Sequence, residues 1–300
     1  MKSVFVYLLF LLSVCRAGEL NDVNIGDKKF GIISVSVANL RENPAHSAQL
    51  VDQEIMGYSI KLLKRKDNWY QAQTEYGYVG WITDKSFCRA DEAAMKIWKD
   101  CDKVIVTKIF AMVYSEPNEK SLPITNVVLN VLLKSVGQVD AEWTKIQTPD
   151  GRGGFIRTDS IAQMPRKKLS GEQLRQSLVR TAKNMMGIPY LWGGKSSVGC
   201  DCSGFTQTVF RADGVSILRD AGQQVSEGAA VDYAADFSNV EAGDLLFFGR
   251  DKITHVGMSL GGAEFIHQSG DVHINSLDPN AANYSPLYRK ILKSIRNNID

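Results

Sequence analysis

Apolar and polar positions alternate along this chain with two different periods, and the change of period divides it. Up to about residue 163 the apolar positions come in short alternating runs: Ile32 to Val37, Tyr58 to Leu63, Val104 to Phe110 and Val127 to Leu133. Turn residues such as Asn43 and Pro44 separate them. Period-two alternation bounded by turns predicts half-buried β-strands. Two stretches nearly repeat. Trp69 to Ile82 reads WYQAQTEYGYVGWI and Trp143 to Ile156 reads WTKIQTPDGRGGFI, with Trp, Gln, Thr, two Gly and Ile coinciding at an offset of 74. Each copy alternates, turns at a Gly-containing segment and resumes, which predicts a closing hairpin. The expectation is two small all-β barrels of about 65 to 70 residues each. Between the copies, Asp91 to Lys99 has acids early and lysines late, the charge order of a short connecting helix.

After Pro165 Arg166 Lys167 Lys168, read as a solvated linker, the period becomes helical. Leu174, Leu178, Thr181, Ala182 and Met185 recur at helix spacing up to Gly187, with Ser170 and Gln173 placed as a capping box. Pro189 then forces an extended segment, and Tyr190, Leu191 and Trp192 precede Gly193 Gly194. Asp201 reads as an N-cap, with Phe205, Val209 and Phe210 on one helical face before Asp213 Gly214 ends it. Leu245 to Phe248 reads as a buried strand. His255 to Leu260 alternates, and Ala263 to Gln268 returns after Gly261 Gly262. A two-residue turn there would place His255 and His267 on opposite faces. A three-residue turn, Gly261 to Ala263, pairs His255 with Ser269 and keeps His267 as its same-face diagonal neighbour. The three-residue turn is the expectation.

This layout puts Cys202 in the first turn of a helix. Free backbone N–H groups and the positive end of the helix dipole there favour thiolate over thiol and can stabilise an oxyanion. Most isolated cysteines are structural, so a partner base is needed. His255 and His267 supply a base and an orienting group. His46 lies in a loop of the first barrel, and His273 and Asn275 read as structural. Arg219 and Asp220 either shape the far side of a pocket or form a surface pair of little energetic consequence.

Composition changes the picture in three ways. Three hundred residues, 44% hydrophobic, predict roughly two or three domains. The net charge of +2 is that of Lys2 and Arg16 alone, which removes the electrostatic case for nucleic acid. Met1 to Ala17 has the layout of a secretory signal, with cleavage after Ala17 and an exported product. Cys15 also resembles a lipoprotein acceptor, the alternative to that cleavage. No other stretch is apolar and long enough to span a bilayer. Cys88, Cys101, Cys200 and Cys202 form no disulfide framework and no metal-ligand spacing. Cys88 and Cys101 either pair or stay free.

Residues 28 to 163 resemble bacterial SH3-like domains, whose closing hairpin carries a pattern like Trp69 Tyr70 Gln71 with Gly80 Trp81 Ile82. Residues 168 to 297 resemble the NlpC-type cell-wall cysteine peptidases. The resemblance rests on Gly187 Ile188 Pro189 Tyr190, Trp192 Gly193 Gly194, Asp201 Cys202 Ser203 Gly204 Phe205, Gly243 Asp244 Leu245, His255 Val256 Gly257 and Phe265 Ile266 His267. It implies an α+β chain: a signal peptide (1–17), a first SH3-like barrel (18–90), a linker helix with a second barrel (91–165), and a circularly permuted papain-like α+β catalytic domain (166–300).

It also implies hydrolysis of the γ-D-glutamyl to diamino-acid bond of peptidoglycan peptides by a monomer, without metal or cofactor. Cys202 would be the nucleophile, His255 the base and His267 its orienter. Tyr190 would serve the oxyanion, and Asp201, Ser203 and Trp192 would line the peptide subsite. From the first barrel, Tyr78 and Glu42 would wall the site. A carboxylate at Asp201 suits a free α-ammonium better than the acidic middle of a wall peptide. Two other readings remain at this point: a catalytically silent wall-binding module, and a thiol acyl hydrolase or transferase acting on a non-peptide acyl group.

Overall fold

The computed structural model describes residues 25–164 and 168–299. The leader, Cys15 included, lies outside them. Among the described residues no helix is long and apolar enough to cross a membrane.

The alternating runs form strands β1 (Phe30–Ile33), β2 (Val37–Arg41), β3 (Leu50–Ile55), β4 (Ser59–Lys66), β5 (Trp69–Thr74), β6 (Val79–Thr83) and β7 (Phe87–Ala90). Helix α1 (Glu92–Asp100) follows, its N-terminus capped by the Asp91 carboxylate accepting from the Ala94 amide. A second set repeats the first: β8 (Lys103–Val106), β9 (Phe110–Tyr114), β10 (Pro123–Val128), β11 (Leu132–Gln138), β12 (Trp143–Gln147), β13 (Gly153–Arg157) and β14 (Ile161–Gln163). The two seven-stranded sheets have the same order, β3-β2-β6-β5-β4-β1-β7 and β10-β9-β13-β12-β11-β8-β14. The repeated segments are the β5–β6 and β12–β13 hairpins. Both of their tryptophans, Trp69 and Trp143, are buried.

Alternation places one face of each strand inward. Leu40, Ile60, Tyr70 and Ile82 fill the first core, and Val104, Val113, Leu133 and Ile146 the second. Ile55 and Met56, from the end of β3, pack into the second core. The Met56 carbonyl accepts from the Leu132 amide at 3.0 Å, so the two sheets are stitched together. Cys88 and Cys101 are free thiols in different surroundings: Cys88 hydrogen-bonds with Ser34, and Cys101 donates to the Trp98 carbonyl.

The last part opens with α2 (Gly171–Asn184). Ser170 sits at its N-cap but makes no side-chain cap hydrogen bond, so the expected capping box is not formed. A small ribbon, β15 (Lys195–Ser196) and β16 (Gly199–Cys200), leads into α3 (Cys202–Ala212), followed by α4 (Ala221–Gln224) and β17 (Ala229–Ala230). Then come β18 (Leu245–Gly249), β19 (Ile253–Gly261), β20 (Glu264–Ser269), β21 (Asp271–Ser276), α5 (Pro286–Ile291) and β22 (Leu292–Asn297). They form an antiparallel sheet ordered β17-β22-β18-β19-β20-β21.

The sequence predicts one apolar face on α3. In the structure every residue from Cys202 to Phe210 is buried, polar ones included. The sheet covers one side, and both β-units reach the rest: Asn130 donates to the Thr208 carbonyl at 2.9 Å, and Arg211 donates to Glu54 Oε1 at 2.6 Å. A helix enclosed all round needs its polar side chains paired. Gly204 allows a close backbone approach. A Cβ there would stand 2.0 Å from the Gly194 carbonyl oxygen.

Candidate active site

Asp201 caps α3 through a hydrogen bond from the Gly204 amide to Oδ1, 2.7 Å. That fixes Cys202 as the first helical residue, 8% exposed. Its thiol meets the backbone amides of Val256 and Ser203, so it lies against β19 beside His255. The expected thiolate is not favoured in this resting geometry. Burial, with the nearby Asp201 carboxylate adding to it, pushes the Cys202 thiol up to about 11, against the amides and Arg219. Desolvation outweighs the helix terminus. Burial pushes Cys200, which accepts from Gln268, still higher, to about 12.

His255 and His267 share one face. In the β19–β20 pairing Gly257 lies opposite His267 and Ser259 opposite Phe265. Continuing that register puts His255 across from Ser269. The route differs from the expected three-residue turn: Gly261 pairs with Glu264 across a two-residue turn, and the register shifts between Ser259 and Gly261. The extra residue of the bulge compensates for the shorter turn. His255 Nε2 lies 2.8 Å from His267 Nδ1, and His267 Nε2 lies 3.0 Å from Asn275 Oδ1. Tyr288 of α5 stacks on His255, centroids 5.1 Å apart, and meets His267 edge-on at 4.7 Å. Burial, with His273 adding to it, lowers His255 to about 4. Burial followed by His255 lowers His267 to about 3. Burial therefore works toward the uncharged form at the thiol and at both imidazoles.

Arg219 is 1% exposed, not a surface group. Its Nη1 and Nη2 fork onto the two Asp201 oxygens at 2.9 and 2.7 Å, while Nε donates to Asp52 Oδ1 of β3 at 2.7 Å. Asp201 also accepts from the Gly193 amide at 3.0 Å and the Ser203 hydroxyl at 3.2 Å. Ser203 Oγ in turn accepts from Arg219 at 3.0 Å. Behind this pair, the Tyr76 hydroxyl donates to Asp52 and accepts from Lys195. Glu54 joins Lys195 at 3.3 Å and Arg211 at 2.6 Å. Burial would raise Glu54, but Arg211 and Lys195 hold it at about 2. Burial lowers Lys195 to about 8 against the pull of Asp52 and Glu54.

The remaining residues named from the sequence divide into three groups. Tyr78 reaches this cluster: it hydrogen-bonds with Asp220 and feels Asp52, Arg219 and Asp201. Burial holds its hydroxyl up at about 12. Tyr190, 39% exposed, lies close enough to Cys202 to feel its charge, and burial raises it to about 12. Trp192 is the most open of the aromatic wall, 61% exposed. Glu42 is exposed in the loop after β2, where its backbone amide donates to the Gln49 carbonyl. Its side chain has no hydrogen bond to the Asp52–Arg219–Asp201 cluster among the described residues. His46 packs edge-on against Trp69 at 5.0 Å, a structural role. The sequence reading takes Asn275 as structural, and it passes over Tyr288, Asp52 and the burial of Arg219. For Asn275 a signal existed: it shares strand alternation with His273, which pairs with His267.

A bacterial SH3 domain model matches residues 36–87, and an NlpC/P60 family model matches residues 187–293, which hold Cys202, His255 and His267. Dipeptidyl-peptidase 6 of Lysinibacillus sphaericus is 30% identical over 269 residues, 87% of this chain and 95% of that protein. The chain belongs to the NlpC/P60 family. A gamma-D-glutamyl-L-lysine dipeptidyl-peptidase of Bacillus cereus is 30% identical over 231 residues, 73% of this chain and 67% of that protein. A crystal structure of an NlpC/P60 family protein from Bacillus cereus superposes with a TM-score of 0.77 at 24% identity, covering 90% of this chain and 100% of that one. It shares the fold. As an NlpC/P60 protein this chain is a cysteine peptidase, cell-wall-associated or secreted.

Proposed function

We propose that the chain hydrolyses the amide between the γ-carboxyl of D-glutamate and the following diamino acid in peptidoglycan stem peptides that begin with a free L-Ala. Cys202 is the nucleophile, His255 its base and later acid, and His267 the orienter. His255 takes the thiol proton as sulfur attacks the γ-carbonyl and returns it to the leaving amine. Water deprotonated by the same imidazole then releases the acyl group. The Cys202 backbone N–H and the Tyr190 hydroxyl, kept protonated by its raised titration point, serve the oxyanion.

The observation that carries the substrate choice is the charge balance beside the thiol. Asp52, Glu54, Asp201 and Asp220 face Lys195, Arg211 and Arg219. Four carboxylates against three cations leave one negative charge. A substrate's α-ammonium at the Asp201 and Asp220 end would complete it, with Ser203 and Trp192 lining the same subsite. Relatives named as dipeptidyl-peptidases agree with a site that reads a free N-terminus. Tyr78, paired with Asp220, makes the first β-unit a wall of that subsite, to which Glu42, exposed in the loop after β2, would add an outer acidic group.

The same reading takes in the architecture. The second sheet, with the strand order of the first, is a second SH3-like barrel. The helix-borne thiol packed on an antiparallel sheet is a circularly permuted papain-like domain, bounded at about residue 166, and the leader directs export. The test is product analysis. From L-Ala-γ-D-Glu-L-Lys-D-Ala the protein should release L-Ala-γ-D-Glu and L-Lys-D-Ala, both visible by mass. Cleavage at another bond, or intact peptide from protein shown to be folded by circular dichroism, would overturn it.

A further inference from the structure

We infer that Asn275 is a positioning residue that fixes the tautomers of both histidines and so directs a bare ring nitrogen of His255 toward the reaction; this deepens the proposed peptidase reading and rests on it. The constraint on the rings comes from outside the pair. Asn275 Nδ2 lies 3.2 Å from the backbone carbonyl of Asn283, which also accepts from the Ser276 amide at 3.0 Å. A carbonyl can only accept, so the amino end of the Asn275 amide must face it and Oδ1 must face the histidine.

From there each step has one solution. Oδ1 can only accept, so His267 carries its proton on Nε2. Neutral His267 is then bare at Nδ1, which must accept from His255 Nε2–H across 2.8 Å. His255 is left bare at Nδ1, the form able to take a proton from sulfur. Reversing the chain would set Asn275 Oδ1 against the Asn283 carbonyl, two acceptors facing each other.

Among the described residues no other neighbour competes for these nitrogens. His267 is fully buried. His273 lies 4.5 Å away edge-on with its Nδ1 held by Asp271, and Tyr288 offers its ring rather than its hydroxyl. The carbonyl that starts the relay is pinned by a bridge between Ser276 and Tyr284. The loop from Leu277 to Ser285 therefore acts on the site without touching substrate.

The experiment is imidazole ¹⁵N NMR on the full chain near neutral pH, for the natural protein, Asn275→Leu and Asn275→Asp, beside kcat and KM on the tetrapeptide. In the natural protein both histidines should show a protonated Nε2 and a bare Nδ1. Asn275→Leu should mix the His267 tautomers and lower kcat by about tenfold to a hundredfold, with KM within about twofold. Asn275→Asp restores the acceptor and should regain kcat to within about fivefold, with the natural tautomers. A His267 protonated at Nδ1 in the natural protein would overturn the assignment, whatever happens to the variants or to peptide cleavage. So would Asn275→Leu with unchanged tautomers and kcat, or Asn275→Asp as impaired as Asn275→Leu while its tautomers stay natural.

Discussion

Cys202→Ala should lower kcat/KM on a γ-D-glutamyl peptide by about 10⁴-fold or more, because loss of a nucleophile removes the covalent path and leaves only binding and oxyanion stabilisation. The fold should survive. The thiol is a small buried group at a helix start whose cap, Asp201, is anchored independently by Gly204, Gly193 and Arg219. Stopped assays with thermal melts on the same samples separate the two effects. Near-natural activity would move the chemistry to another residue. The neighbouring Cys200 offers a control: it is fully buried and raised to about 12 by that burial, so Cys200→Ala should keep most activity.

The second large effect is at Arg219. It is held by carboxylates from two parts of the chain, Asp52 of the first β-unit and Asp201 at the thiol. Arg219→Met keeps much of the packing volume but leaves two carboxylates without their shared cation. Breaking a buried pair from one side costs about 3–5 kcal/mol. For a chain of this size that is a fall in Tm of roughly 10 °C. Activity should fall as well, because Asp201 and Ser203 both lose the fork that aligns them. Arg219→Lys keeps charge without the fork and should fall between. A Tm unchanged by Arg219→Met would show that the cluster does not hold the first β-unit against the peptidase.

Local patterns were readable in the sequence because their causes are local. The offset of 74 between the two tryptophan hairpins foretold two sheets of one topology. Helical spacing and an Asp at the right place foretold α3 and its cap. The shared face of His255 and His267 was also foretold, though from a three-residue turn where the chain uses a two-residue turn and a bulge, devices that give the same parity. Long-range effects were not readable. Arg219 stayed open between a pocket wall and a surface pair because its partner Asp52 is 167 positions away. The burial of Cys202, which opposes the thiolate that the helix terminus favours, comes from packing that one helix cannot show. Asn275 was missed because its role depends on the β20–β21 register around Gly270, whose φ of +89° permits the tight reversal that pairs Ser269 with Asp271.

The proposed function joins nucleophile, imidazole relay and charge cluster in a peptidase that would read its substrate's free amine. The direct measurement is kcat/KM for L-Ala-γ-D-Glu-L-Lys with and without N-acetylation. Acetylation removes the ammonium that completes the Asp201 and Asp220 end of the cluster. It should lower kcat/KM by about a hundredfold, the worth of one charge-assisted contact near 3 kcal/mol. Equal cleavage of the two peptides would contradict the reading of the amine by Asp201.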